Sequence, residues 1–174
     1  EWKFEDDQAD SEIAVNAYNN LMDWGMQVMA GPTTTGSSIS VSTKCNEERV
    51  FMMTPSASSA DVTAGKDNVF QLCFTDPNQG AGSATYIAAN MPESKIAVIY
   101  RNDDAYSQGI RDKFVSTAAE NGLEIVYEGT FTKDTMTDFS VQLNAAQAGG
   151  ADLVFLPIYY QPASVIFSQA KAMG

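Results

Sequence analysis

Apolar runs of strand length alternate along this chain with amphipathic stretches of helix length, and that alternation admits few folds. Strand-like segments fall at residues 2–5, 26–30, 49–53, 68–74, 95–100, 124–131 and 152–156. Between them lie stretches whose apolar residues recur at helical spacing. In the first, Ile13, Ala14, Ala17, Tyr18, Leu21 and Met22 form one stripe, with Asp10 placed to cap its start and Gly25 to close it. Helices are also expected at about 36–45 and 79–91, around Ile110, Phe114, Val115 and Ala118, around Phe139, Leu143 and Ala146, and from Ala163 to Met173. Strands that alternate with helices pair in parallel, with helices covering both faces of the sheet, so the fold class is α/β.

The polar stretch from Phe74 to Asn78, with Pro77 in it, suits a crossing between two lobes. A break there gives a first-lobe portion, 1–75, and a second-lobe portion, 76–174. No internal repeat and no low-complexity tract interrupts the pattern.

Composition removes several function classes. The net charge is −12, which repels phosphate backbones and anionic membranes, so nucleic acid is not an expected partner. The longest apolar runs, such as LVFLPIYY at 153–160, are too short to span a bilayer. The chain has no histidine and two cysteines, Cys45 and Cys73, so zinc sites, Ser-His triads and Cys-His dyads cannot be built from it. No catalytic residue, metal or cofactor is expected. The two cysteines are read as packed free thiols, with a disulfide as the alternative.

Four short loops lie where strands end: GPTTTG at 31–36, TPSAS at 54–58, DDAYSQG at 103–109 and PIYYQP at 157–162. Ligands of open parallel sheets dock beyond the carboxyl ends of the strands, so these loops are expected to converge on one ligand-facing edge. GPTTTG runs from a strand into a helix. Thr35, Gly36 and Ser37 can there offer backbone N–H groups and hydroxyls to an anion such as a carboxylate. The alternative is that Thr33 to Ser37 merely cap the helix. TPSAS repeats the arrangement with Ser56 and Ser58. Tyr106, Tyr159 and Tyr160 bring aromatic faces that can cover an aliphatic side chain or a cation.

Two weaker signals stand beside these loops. Glu5, Asp6 and Asp7 superficially resemble the magnesium-binding carboxylates of a receiver-like phosphoacceptor, but the later strand ends lack the aspartate and lysine that such a domain needs. GAGSAT at 80–85 lacks the third glycine and the downstream acidic residue of a dinucleotide fingerprint.

Taken in order, EDDQAD with its following helix, MAGPTTTG, MTPSAS, VFQLCFTDPNQG, KIAVIYRNDDAYSQG and DLVFLPIYYQPA resemble the central part of the branched-chain amino acid substrate-binding proteins of ABC transporters, which have the type I periplasmic-binding-protein fold. The resemblance covers essentially the whole chain. It implies two α/β lobes that close over a small ligand, the first gripping the α-carboxylate and α-ammonium and the second supplying side-chain contacts and part of a lid. By motif, the carboxylate-binding hydroxyl falls on Thr35, neighbouring contacts on Ser56 and Ser58, and second-lobe aromatics on Tyr106 and Tyr159.

The family's first strand with its glycine-containing loop, and the region after the helix ending at Gly174, have no counterpart here. The resemblance thus implies a member truncated at both ends, with two incomplete lobes and exposed sheet edges through which copies could self-associate. The implied role is extracytoplasmic: capture of an amino acid or similar small zwitterion and delivery to an ABC transporter permease. A sensory domain of a receptor or regulator with the same fold is the alternative.

Overall fold

In the computed structural model, which describes residues 1–173, the chain divides into two compact units, Glu1–Thr75 and Asp76–Gly174. The first holds α1 (Ser11–Trp24), β1 (Val28–Ala30), α2 (Thr35–Glu48), β2 (Phe51–Thr54) and β3 (Val69–Gln71). The second holds α3 (Asp76–Asn90), β4 (Lys95–Arg101), α4 (Ala105–Glu120), β5 (Glu124–Phe131), α5 (Ser140–Ala148), β6 (Leu153–Phe155) and α6 (Tyr160–Met173). Each unit contains one three-stranded parallel sheet, ordered β1-β2-β3 and β5-β4-β6.

The helix boundaries follow from local chemistry. The Asp10 carboxylate accepts the backbone N–H groups of Glu12 and Ile13, and Gly25 ends α1 at φ 98°, a conformation that favours glycine. α3 and α4 approach so closely that a Cβ on Gly80 would lie 2.3 Å from the Ile110 carbonyl oxygen. The first glycine of GAGSAT is therefore a packing residue inside α3.

The first unit's core joins Ala14 and Tyr18 of α1, Val41 and Cys45 of α2, and Met52 and Val69 of the sheet. Strand side chains alternate between faces, so this arrangement leaves Val28, Phe51 and Phe70 on the other face, 60%, 39% and 46% exposed. Phe51 and Phe70 stack at 5.3 Å there. Both helices of this unit share the one core, and among the described residues of the unit no helix lies on the second face, contrary to the expectation of cover on both.

The second sheet meets that expectation. On one side of β4, Ile96 and Val98 pack with Ala84 of α3 and with Phe114 and Ala118 of α4. On the other, Ile99 packs with Phe139, Leu143 of α5 and Ile166 of α6. Burial on both faces explains why KIAVIY reads as a continuous apolar run.

Residues 2–5 form no strand, contrary to the sequence reading, and Trp2 and Phe4 are exposed. A strand needs a ladder partner, and among the described residues no backbone–backbone hydrogen bond reaches residues 1–6. The Asp6 and Asp7 carboxylates accept the N–H groups of Gln8 and Ala9, so the acidic cluster shapes a turn. Among the described residues no group of three or more His, Cys, Asp or Glu could hold a metal ion, and no helix is long and apolar enough to cross a membrane.

Cys45 and Cys73 are both free, and the Cys73 thiol donates to the Ala57 carbonyl at 3.2 Å. Burial, with a smaller contribution from the Glu48 charge, lifts the Cys45 thiol from its ordinary 9.0 to about 12, while the Tyr18 hydroxyl opposes the shift. Between these values the unfolded chain holds fewer protons than the folded one. Stability is therefore full below pH 9 and falls as pH rises, with a limiting slope of about 1.4 kcal/mol per pH unit. Urea unfolding at about pH 8 and about pH 10 is expected to show this loss in the native chain, and Cys45→Ala to reduce it; an identical pH dependence in both would contradict the assignment.

Candidate functional site

Two loops of the first unit are tied together by hydroxyls. The chain leaves β1 through Gly31, at φ 129°, and a cis Gly31–Pro32 bond, then enters α2 at Thr35. The Pro32 carbonyl accepts the Thr54 hydroxyl at 2.6 Å and the Ser38 hydroxyl at 3.0 Å. Thr54 Oγ1 in turn accepts the Ala57 N–H at 3.2 Å, and Thr35 Oγ1 accepts the Ser58 N–H at 3.4 Å. Thr35, Thr54 and Ser38 are buried, so each of these bonds would be costly to lose.

The start of α2 differs from those of α1 and α4. Asp10 caps α1 and Asp104 caps α4 through side-chain oxygens, whereas Thr34 at the head of α2 makes no such bond. The capping alternative therefore fails at Thr34, and no cap side chain takes up the first-turn N–H groups of Thr35, Gly36 and Ser37. The buried hydroxyls of Thr34 and Ser37 also lack a hydrogen-bond partner. No acidic residue stands in this first turn. The result is a concentration of donors and positive dipole with no internal anion to satisfy it.

Of the three residues singled out in this unit, Ser56 is exposed, while Ser58 and Thr35 are buried. The Ser58–Thr35 bond brings the two loops into contact. Thr35 is thus a pin between loops, and its own hydroxyl proton has no recorded acceptor among the described residues.

The second unit is built on a parallel plan. Ser107 is fully buried; its hydroxyl donates to the Pro157 carbonyl at 2.6 Å and accepts the Arg101 N–H at 2.8 Å. Asp104 caps α4 by accepting the Ser107 N–H at 3.0 Å, and burial raises its carboxyl above the usual range. These bonds fix the loops after β4 and β6. Tyr106 and Tyr159, one from each loop, stack with ring centroids 4.8 Å apart and planes 25° apart. Burial pushes the Tyr106 phenol up, the charges of Asp76 and Asp104 add to this, and a hydrogen bond with Gln79 opposes it. Tyr160, the neighbour in the motif, is 78% exposed.

Sequence reading missed Thr54, Ser38, Ser107 and Gln79. Thr54 and Ser107 stood inside the recognised motifs but were passed over for their neighbours. The available signal was a hydroxyl residue at each strand-to-loop transition, where a buried backbone carbonyl must find a donor.

Removing the Ser107 hydroxyl takes the bond from both the Pro157 carbonyl and the Arg101 N–H, and removing that of Thr54 takes it from the Ala57 N–H and leaves the Pro32 carbonyl with Ser38 alone. Thr54→Val and Ser107→Ala are each expected to lower unfolding free energy by about 1–3 kcal/mol, whereas Ser56→Ala should stay within about 0.5 kcal/mol. Urea unfolding measures this, and equal effects at all three positions would contradict the pinning roles.

Comparison with known proteins agrees with this architecture. The chain is 32% identical over 174 residues to the Leu/Ile/Val-binding protein homolog 3 of Brucella melitensis, covering 99% of this chain and 46% of the relative. It is 26% identical over 171 residues to the leucine-, isoleucine-, valine-, threonine- and alanine-binding protein of Pseudomonas aeruginosa, covering 97% and 45%. Among solved structures, the leucine-binding protein LivK of Thermotoga maritima superposes with a TM-score of 0.91 at 27% identity, over 97% of this chain and 48% of that one. The branched-chain amino acid transporter substrate-binding protein LivJ of Streptococcus pneumoniae, in complex with isoleucine, gives 0.86 at 27% identity, over 98% and 48%. The chain thus spans about half the length of the curated relatives it matches. The family model for the periplasmic binding proteins matches residues 1–174, and the chain belongs to that family.

Proposed function

We propose that this chain is part of an extracytoplasmic solute-binding protein that captures a branched-chain or similar small amino acid for an ABC transporter permease. The observation that carries the reading is the uncapped start of α2. There the first-turn N–H groups, with no acidic residue among them, form a seat for a carboxylate. Names of relatives support the ligand class: the similar proteins of Brucella melitensis and Pseudomonas aeruginosa are named for leucine, isoleucine and valine.

The residues divide the work by their chemistry. The α2 first turn and the Thr35 hydroxyl donate to the ligand carboxylate, and Ser56, the exposed hydroxyl of its loop, adds a further polar contact. Ser58 holds Thr35 in place. Tyr106 and Tyr159 present a stacked aromatic surface suited to an aliphatic side chain. Each charge-assisted hydrogen bond contributes about 1.5–3 kcal/mol, so three or four offset the ordering cost and reach micromolar affinity. The protein changes no bond in its ligand; its work is selection and release.

Calorimetry with leucine, isoleucine and valine on a protein carrying both units tests the reading. Binding of at least one is expected, with Thr35→Val and Tyr159→Ala each weakening it by roughly tenfold or more, about 1.4 kcal/mol. Absence of heat with every amino acid at millimolar concentration, or affinity untouched by both substitutions, would overturn it.

A further inference from the structure

The turn that joins α4 to β5 is made by Asn121 and Gly122, and no other asparagine in the chain precedes a glycine. Both residues are exposed. The turn is closed by a set of helix-end bonds. Gly122, at φ 72°, donates its N–H to the Ala119 carbonyl at 3.2 Å, and Leu123 donates to the Ala118 carbonyl at 2.9 Å. This is the pairing by which a left-handed glycine ends a helix, and its usual apolar contact is present, since Leu123 is buried in the same core cluster as Phe114 and Ala118. The Asn121 side chain adds a further bond, from Nδ2 to the Thr117 carbonyl at 2.8 Å.

We infer that Asn121 is a site of spontaneous covalent modification, conversion through a cyclic imide to aspartate and isoaspartate, and that the closed α4–β5 turn holds this reaction in check. The Gly122 nitrogen attacks Cγ of Asn121, the Cγ–Nδ2 bond breaks, and the proton lost from the Gly122 nitrogen leaves with Nδ2 as ammonia. Water then opens the imide at either carbonyl. Glycine makes this step possible because no side chain shields its N–H from the neighbouring carboxamide.

The folded turn opposes the attack in three ways. The attacking N–H is held by Ala119, and the departing amide is held by Thr117. Asn121 also has φ −93° and ψ 2°, which eclipses the Gly122 nitrogen with the residue's own nitrogen and turns it away from the side chain. Rotating it to face Cγ breaks the Gly122 and Leu123 bonds, so the reaction proceeds through an opened turn.

The product cannot restore what it replaces. Either acid puts a negative charge at the carboxyl end of α4, against the helix dipole, and removes the side-chain donor from Thr117. The isoaspartate also lengthens the main chain by a methylene carbon, which takes Leu123 out of register with Ala118. Modification thus accumulates as a record of the time this turn has spent open, whatever ligand the protein carries.

Incubation of the 174-residue chain in mildly alkaline buffer, native and in urea, tests this, with isoaspartate located by mass spectrometry of proteolytic fragments. In urea Asn121 is expected to convert ahead of every other asparagine, and in the native chain more slowly by roughly tenfold or more. Leu123→Ala loosens the apolar contact of the turn, so it should speed native conversion severalfold and leave the urea rate unchanged. Hydrogen exchange at the Gly122 amide of the unsubstituted chain gives a second reading that needs no variant: its protection should match the ratio of urea to native conversion within roughly threefold. Another asparagine converting first in urea would overturn the site. Equal rates in the native chain and in urea, or an unprotected Gly122 amide beside slowed conversion, would overturn the role of the turn.

Discussion

A buried hydroxyl that donates to a proline carbonyl fixes the loops of each unit. Thr54 does this for Pro32, and Ser107 does it for Pro157, both at 2.6 Å. In each case the same oxygen also accepts a backbone N–H, from Ala57 or from Arg101, so a single side chain satisfies two backbone groups away from water. Proline has no N–H of its own, and its carbonyl must find a donor elsewhere when the turn is buried. In each unit the outcome is a loop edge held by short bonds from neighbouring strand ends, which positions the α2 start in the first and the Tyr106–Tyr159 stack in the second.

The units differ in how completely their sheets are covered. β4 is sealed on both faces, and Ile96 to Ile99 are wholly buried. The first sheet has helices on one face only, an aromatic pair on the other, and an open groove beside β1. Parallel sheets are usually covered on both faces, and this unit exposes an apolar face. The chain spans about half the length of the curated relatives it matches, and Val28, Phe51 and Phe70 on one face of its first sheet are exposed.

Much of this was legible in the sequence, for physical reasons. Helix α1 could be read to its ends because an Asp cap and a left-handed glycine bracket a clean apolar stripe. The second unit followed its pattern because both sheet faces are filled. The failures came where local pattern is silent on pairing and packing. Residues 2–5 have strand chemistry but no ladder, and Val28, Phe51 and Phe70 are apolar without being core. At the site, the hydroxyl-rich loops were evident, but their internal division was not. Sequence cannot separate Thr35 and Ser58, which hold each other, from Ser56, which faces solvent, because all three are small hydroxyl residues in turns.

The central claim is that the uncapped first turn of α2 seats a carboxylate. Backbone amide chemical shifts in a two-dimensional nitrogen–proton spectrum, followed as leucine and then leucinamide are added, address it directly. The account predicts that the amides of Thr35, Gly36 and Ser37 move with leucine and not with leucinamide, which lacks the carboxylate. Leucine binding that leaves those three amides in place, or that leucinamide reproduces there, would contradict it.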